Sequence, residues 1–271
     1  MTAQVTLLLT LLLYTVVAVH ASLRALARSR ILARWAHVAV VLAFALHTLS
    51  LGQRWAVAGH LPVVGLRDIA TALAWVVVLV FLLVNAAARL EALGLAAFPV
   101  AFALTLVASL TSPSGRADPQ LQSLYLPVHA TFAVFGGGAL FVAFVMGTLY
   151  LIQERELRTR APSFFYYFAP SLERCDTLGG ASAGVGLTLL TLAIVSGMLW
   201  SHAARGTYFS GSAKEWSAVS AWLIYVVLVV VRHRSGWGGR RTAVLAIAGF
   251  PVVLFVFAWL TWAMRFAPTT S

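Results

Sequence analysis

The chain has 271 residues, 61% of them apolar and only 10% charged, and its mean hydropathy is +0.90. That composition excludes a water-soluble domain and, at this length, a simple anchor, which leaves an integral membrane protein. The formal net charge of +11 raises nucleic acid as a partner, but basic residues in a membrane chain are first tested against orientation.

A spanning helix needs about 20 apolar residues to cross a hydrocarbon core of about 30 Å. Eight such stretches follow in chain order, over about 3–21, 35–52, 68–87, 92–110, 124–152, 178–199, 214–232 and 242–264. They predict an all-α polytopic membrane bundle in one domain, 1–271, with the lipid bilayer as its first partner. The segments between them are too short to fold separately, so any chemistry sits in the bundle or its links. Links after spans one, three, five and seven carry thirteen of the 19 Lys and Arg, and the other side carries six. This asymmetry predicts both termini outside and the basic links in the cytoplasm, and it accounts for the charge without nucleic acid. Met1–Gln4 holds no cation, so the first apolar run reads as a retained span rather than a signal peptide.

Cys175, the single cysteine, falls in a cytoplasmic link on this reading. The chain therefore has no internal disulfide and no Cys-x-x-Cys-His haem attachment site. The longest link, about 153–177, mixes Glu154, Arg155, Glu156, Arg158 and Arg160 with the aromatic run Phe164–Phe168. Charges beside aromatics suit the headgroup layer, so this link is expected along the inner surface, where it is a candidate partner site. Gly136–Gly138 in span five and Gly180 with Gly184 in span six place small residues where helix backbones can approach closely.

The outer side gathers a different set. His60 follows span two, His129 opens span five, His202 follows span six, and His47 lies about one turn below the outer end of span two. Arg54, Arg67, Arg205 and Lys214 are cations on the same side. Each histidine alone is also what a helix end uses to satisfy a carbonyl, but a polar ring at the depth of His47 costs free energy unless paired or used. Together the set suits a flat apolar ring with carboxylates and an iron needing an axial donor, which is haem. Ordinary hydrolytic or redox chemistry finds no motif. The chain has 8 Asp and Glu, no His-x-x-x-His, no Gly-rich phosphate loop and no nucleophile elbow.

Three stretches resemble the cytochrome c assembly protein family, the group containing CcsA, CcmC and CcmF. The first is Arg54-Trp55-Ala56-Val57-Ala58-Gly59-His60-Leu61-Pro62 with Leu66, Asp68 and Trp75, similar to that family's RW…GHxP…NLYES…W, with Asp68 in place of Glu. The second, Leu126-Pro127-Val128-His129 with the span ending Tyr150-Leu151-Ile152-Gln153-Glu154, is similar to the segment of the family's outer haem-ligand histidine. The third runs from Pro170-Ser171-Leu172-Glu173-Arg174-Cys175-Asp176 through Gly186, Gly197 and Trp200 to Lys214, Glu215 and Trp222. It resembles the family's approach to its tryptophan-rich loop.

The departures lie inside that loop. Where the family writes W-G-x-Y-W-x-W-D-P-K-E, this chain has Arg205-Gly206-Thr207-Tyr208-Phe209-Ser210-Gly211-Ser212-Ala213-Lys214-Glu215. Stacking area is lost, and the second outer histidine of the synthases has no counterpart except His202. The pattern resembles the short eight-span YpjD- or HemX-like branch.

The resemblance implies a multi-pass protein of the bacterial plasma (inner) membrane that binds or handles haem in cytochrome c biogenesis or haem homeostasis. His129 and His60 would be the iron ligands, with His202 and His47 as further candidates. Arg54, Arg205 and Lys214 would face propionates, and Trp200, Tyr208 and Phe209 the ring. Cytochrome c maturation proteins or a haem-synthesis enzyme would be partners. Two alternatives stay open, a non-haem scaffold acting through loop 161–170 and a haem lyase subunit.

Overall fold

A computed structural model of the chain describes residues 2–27, 30–59, 61–63, 65–112, 125–159, 169–235 and 238–266, with side chains in 24–36 and 257–266 and at 214 and 235 left out. Eight α-helices carry this structure: α1 (Ala3–Ala27), α2 (Arg30–Ala58), α3 (Gly65–Ala88), α4 (Gly94–Leu110), α5 (Tyr125–Thr159), α6 (Leu172–Arg205), α7 (Ala213–Ser235) and α8 (Arg240–Phe266). A 3-10 turn, Glu91–Leu93, leads into α4, and no strand occurs among the described residues. Seven of the helices are long and apolar enough to cross a membrane. A bilayer leaves backbone groups no water to bond, so a helix, which satisfies its own, is the form such segments take.

Apart from residue 124, which lies outside the described residues, each predicted span lies within a helix or its lead-in turn, but hydropathy underestimates the ends. α5 runs to Thr159, seven residues past the predicted limit, because Glu154 and Arg158 pair one turn apart at 3.2 Å and keep a polar helix intact. α6 starts at Leu172, where the Ser171 side chain accepts from the Arg174 N–H as an N-cap, and ends where Gly206 takes φ 74°. The expected surface link of 153–177 therefore shortens to 160–171. Cys175, expected in that link, instead lies in the first turns of α6, where it is buried with Sγ 3.7 Å from the Pro170 carbonyl oxygen. The aromatic run Phe164–Phe168 lies outside the described residues.

The helices form two compact units, the first holding α1–α4 and the second α5–α8. In the first, α1 packs on α2 and α4, and α3 packs on α4 and α2. Leu7, Ala70 and Ala108 meet at its centre, with Leu104 against them. In the second, α5 packs mainly on α6 and also on α8, while α7 closes on α8 and α6. Small residues set these distances. A Cβ on Gly136 would sit 3.3 Å from Leu189 Cβ, and one on Gly147 would sit 2.9 Å from the Ala243 carbonyl oxygen. Gly184, expected as part of the same close face, has no atom of the described residues within 4 Å of such a Cβ.

Gly180 serves a charge rather than a helix. A Cβ there would fall on the Arg232 guanidinium, which crosses this position to reach Asp176 with bonds of 2.7 and 2.9 Å. Asp176 also accepts from the Gly239 N–H at 2.7 Å and the Thr242 hydroxyl at 3.2 Å, so one carboxylate joins α6, α7 and the start of α8. Hydrogen bonds to a charged partner contribute about 1.5–3 kcal/mol when one side is lost. Asp176→Ala and Gly180→Ala are expected to lower the thermal midpoint in detergent by several degrees each, while Gly184→Ala leaves it in place. Equal midpoints for the two glycine variants would contradict this account of Gly180.

Candidate functional site

The end of the second unit opposite Asp176 is built by the last turns of α6, the link 206–212 and the first turn of α7. Gly206 ends α6 in the left-handed region and donates its N–H to the His202 carbonyl at 2.8 Å. The chain then folds back over the helix end. Ser201 Oγ donates to the Thr207 carbonyl at 2.6 Å and accepts from Arg205 Nη2 at 2.9 Å.

Glu215 holds the other half of the link. Its carboxylate accepts from the Ser210 N–H at 2.9 Å, the Ser210 hydroxyl at 3.0 Å and the Ser212 N–H at 3.2 Å. In return the Glu215 N–H donates to Ser212 Oγ at 3.4 Å, so Ser212 and Glu215 form a reciprocal capping box at the start of α7. Arg205 Nη2 adds an ion pair to Glu215 at 3.8 Å. Ser212 is therefore a working cap in the aspartate position of the resemblance. Gly211, in a tryptophan position, has φ 72°, a conformation in which a side chain would be strained. The link has a consistent turn geometry of its own.

Aromatic rings face outward around this turn. His202 stacks on Tyr208 with centroids 4.1 Å apart and planes 12° apart. Phe209 meets Trp216 edge to face at 5.4 Å. Tyr208, Phe209 and Trp216 are all exposed, as are Met198 and Leu199 on the last turns of α6. His202, Arg205, Tyr208 and Phe209 all lie at this end of α6 and in the link that follows it, and the Lys214 side chain lies outside the described residues.

His129 is held more firmly. In the first turns of α5, its Nδ1 lies 2.7 Å from the Ala193 carbonyl oxygen of α6. A carbonyl only accepts, so Nδ1 is the donor in this bond. A Cβ on Gly197, one turn beyond Ala193, would come within 2.9 Å of His129 Nδ1. The imidazole fits only because position 197 is glycine. Trp200, on the same face of α6, lies nearly parallel to it, with centroids 6.4 Å apart and planes at 23°. Trp200 Nε1 is buried without a hydrogen-bond partner among the described residues.

The first unit holds the remaining candidates. His47 is fully buried, its Nδ1 3.0 Å from the Tyr14 hydroxyl. Arg54 forks onto Asp68 through Nε at 3.1 Å and Nη2 at 2.9 and 3.1 Å. Arg67 is buried and bonds the Gln4 side chain and the Thr111 carbonyl. Both cations are thus engaged within the protein. His60 lies outside the described residues.

Two residues of this end escaped the sequence reading as site candidates. Trp216 directly follows the Lys214-Glu215 pair, and an aromatic just inside a capped helix start is the signal that marks it. Gly197 is visible as a helix-interior glycine, whose cost of about 1 kcal/mol calls for a packing reason.

The profile of the family described as Cytochrome C assembly protein matches residues 63–265. A protein named Cytochrome c biogenesis protein CcsA from Prochlorococcus marinus (strain MIT 9301) is 30% identical over 235 residues, covering 78% of this chain and 76% of its own. The protein of the same name from Microcystis aeruginosa (strain NIES-843 / IAM M-2473) is 29% identical over 252 residues, covering 75% and 77%. That from Trieres chinensis is 28% identical over 235 residues, covering 75% of each chain.

The capping geometry gives a local test. Glu215→Ala releases the Ser210 and Ser212 amides, so hydrogen exchange there should accelerate about tenfold for each 1.4 kcal/mol of lost capping. Unchanged exchange at both would show that Glu215 does not hold the link.

Proposed function

The chain belongs to the cytochrome c assembly protein family, and from that premise we propose that it is a haem-handling membrane protein of cytochrome c biogenesis with His129 as an axial iron ligand. Curated relatives carry the name cytochrome c biogenesis protein, and the seven spans support a multi-pass membrane protein. The observation that carries the reading is the His129 cradle. Gly197 leaves room for the ring, and the Ala193 carbonyl accepts from Nδ1 and orients it, the kind of backbone support that metal-binding imidazoles use.

The residues around the cradle fit the group. Haem, when bound, supplies an iron that takes a nitrogen donor, and a broad apolar ring with carboxylates at one edge. Trp200 beside His129 offers an aromatic face and an unpartnered buried N–H. The exposed rings of Tyr208, Phe209 and Trp216 extend apolar area over the capped link. Arg205, fixed by Ser201 and Glu215, keeps further donors of its guanidinium fork for a carboxylate. Lys214 is the second cation of this end and His60 the second ligand nominated by the sequence. The role is binding and presentation alongside other maturation proteins, in the plasma membrane of a bacterium.

The test is the absorption spectrum of protein purified from haem-replete cells. The native chain is expected to show a Soret band that His129→Ala abolishes. Gly197→Ala is expected to weaken haem affinity about 10- to 100-fold by displacing the supporting hydrogen bond. A native-like band in His129→Ala would reject the ligand.

A further inference from the structure

The first unit buries polar side chains from all four of its helices, and those described all lie in one half of it. At the end where α1 and α3 begin, Arg67 bonds the Gln4 side chain and the Thr111 carbonyl. Further in, the Thr6 hydroxyl meets Gln53 Oε1 at 2.8 Å, and Ser50 Oγ donates to the Ala3 carbonyl at 3.2 Å. Thr10, Thr71 and Thr105 are buried in the same half. The set ends at His47, whose Nδ1 lies 3.0 Å from the Tyr14 hydroxyl with the two rings edge to face.

Helix register gives the depth of that pair. Tyr14 stands eleven positions from Ala3, where α1 begins, and His47 eleven positions from Ala58, where α2 ends. At about 1.5 Å per residue both are about 16 Å from that end, roughly half of a hydrocarbon core of about 30 Å. No described polar residue of the unit is buried beyond them. The threonines lie beside the contact that joins α1, α3 and α4 at Leu7, Ala70 and Ala108. Thr6 precedes Leu7, Thr71 follows Ala70, and Thr105 is one turn inward of Ala108.

One of these hydroxyls is not used by the protein. Thr6, Thr10 and Thr71 each donate to a carbonyl one turn back in their own helix, at 3.0, 2.8 and 2.7 Å, which is how a threonine in an apolar helix settles its hydroxyl. Thr105 Oγ1 is fully buried with no partner among the described residues. A buried hydroxyl left open is costly unless water answers it, and an imidazole at half depth is costly unless it is paired or used.

We infer that this half of the first unit is a water-bearing proton route that ends at the Tyr14–His47 pair. The buried hydroxyls hold water between the helices, and Thr105 is the one free to do so. A proton passes from that water through the Tyr14 hydroxyl to the imidazole, the water is reprotonated from solvent at the Arg67 end, and release runs by the reverse steps. The pair therefore exchanges protons with one end of the unit only. Tyr14 is the sole titratable group at the depth of His47, since Arg54, Arg67 and Asp68 stand in end turns and α4 carries none. The route is a property of the first unit and holds whether or not His129 binds haem.

Two measurements on the full-length protein in nanodiscs test it. In water-edited nuclear magnetic resonance of the native chain, magnetisation from water should reach the Tyr14 and His47 rings several-fold faster than it reaches Tyr225, which is as fully buried in the second unit. Tyr14 and His47 as slow as Tyr225 would overturn the route with no variant involved. The second measurement is the lifetime of the His47 ring N–H proton after transfer to deuterated buffer. Thr105→Val and Thr10→Val should each lengthen it several-fold, whereas Thr15→Val, one residue beyond Tyr14 and bonded to the Leu11 carbonyl, should leave it native. Local unfolding shortens this lifetime, so it cannot imitate the expected result. An unchanged or shortened lifetime in both valine variants would overturn the role of the hydroxyls.

Discussion

In a chain that is 61% apolar, each of the 8 carboxylates has to be placed where something answers its charge, because the surroundings will not. Arginine answers several of them. Asp68 is gripped by Arg54, Asp176 by Arg232, Glu215 by Arg205, and Glu154 by Arg158 and Arg240. Two of these pairs, Arg54–Asp68 and Arg205–Glu215, join consecutive helices across their connecting link. Apolar packing brings the helices together through small residues, and the ion pairs then determine how the ends and links are held. Gly180 shows the two principles meeting, since its missing side chain lets Arg232 pass over α6 to its carboxylate.

The candidate site follows from the same logic. Gly206, Ser212 and Glu215 give the link between α6 and α7 a defined turn, and that turn carries Tyr208 and Phe209 outward beside Trp216. Independently, packing of α5 on α6 sets His129 into the space above Gly197 and next to Trp200. The Ala193 carbonyl fixes the orientation of that imidazole. The aromatic surface around it is smaller than the family's tryptophan-rich pattern would provide.

Much of the fold was legible in the sequence because a bilayer allows few solutions. Runs of about 20 apolar residues had to be helices. Their true ends were less legible, since the polar turns at 153–159 and 172–177 are set by capping and pairing, to which hydropathy is blind. In the site, His129 and Trp200 were readable as types but not as a stacked pair, because helix packing alone decides which faces meet. Arg54 read as an available cation, and only the fold shows it forked onto Asp68. Gly211 and Ser212 read as losses from a motif, while the backbone shows a left-handed turn residue and a cap.

The central claim is that His129, seated over Gly197 beside Trp200, is where this protein takes hold of haem. Titrating haemin into haem-free protein in nanodiscs and following tryptophan fluorescence tests it most directly. The account predicts saturable quenching at one haem per chain in the native protein, with most of it lost in His129→Ala and Gly197→Ala. Equal, saturable quenching in all three proteins would contradict it.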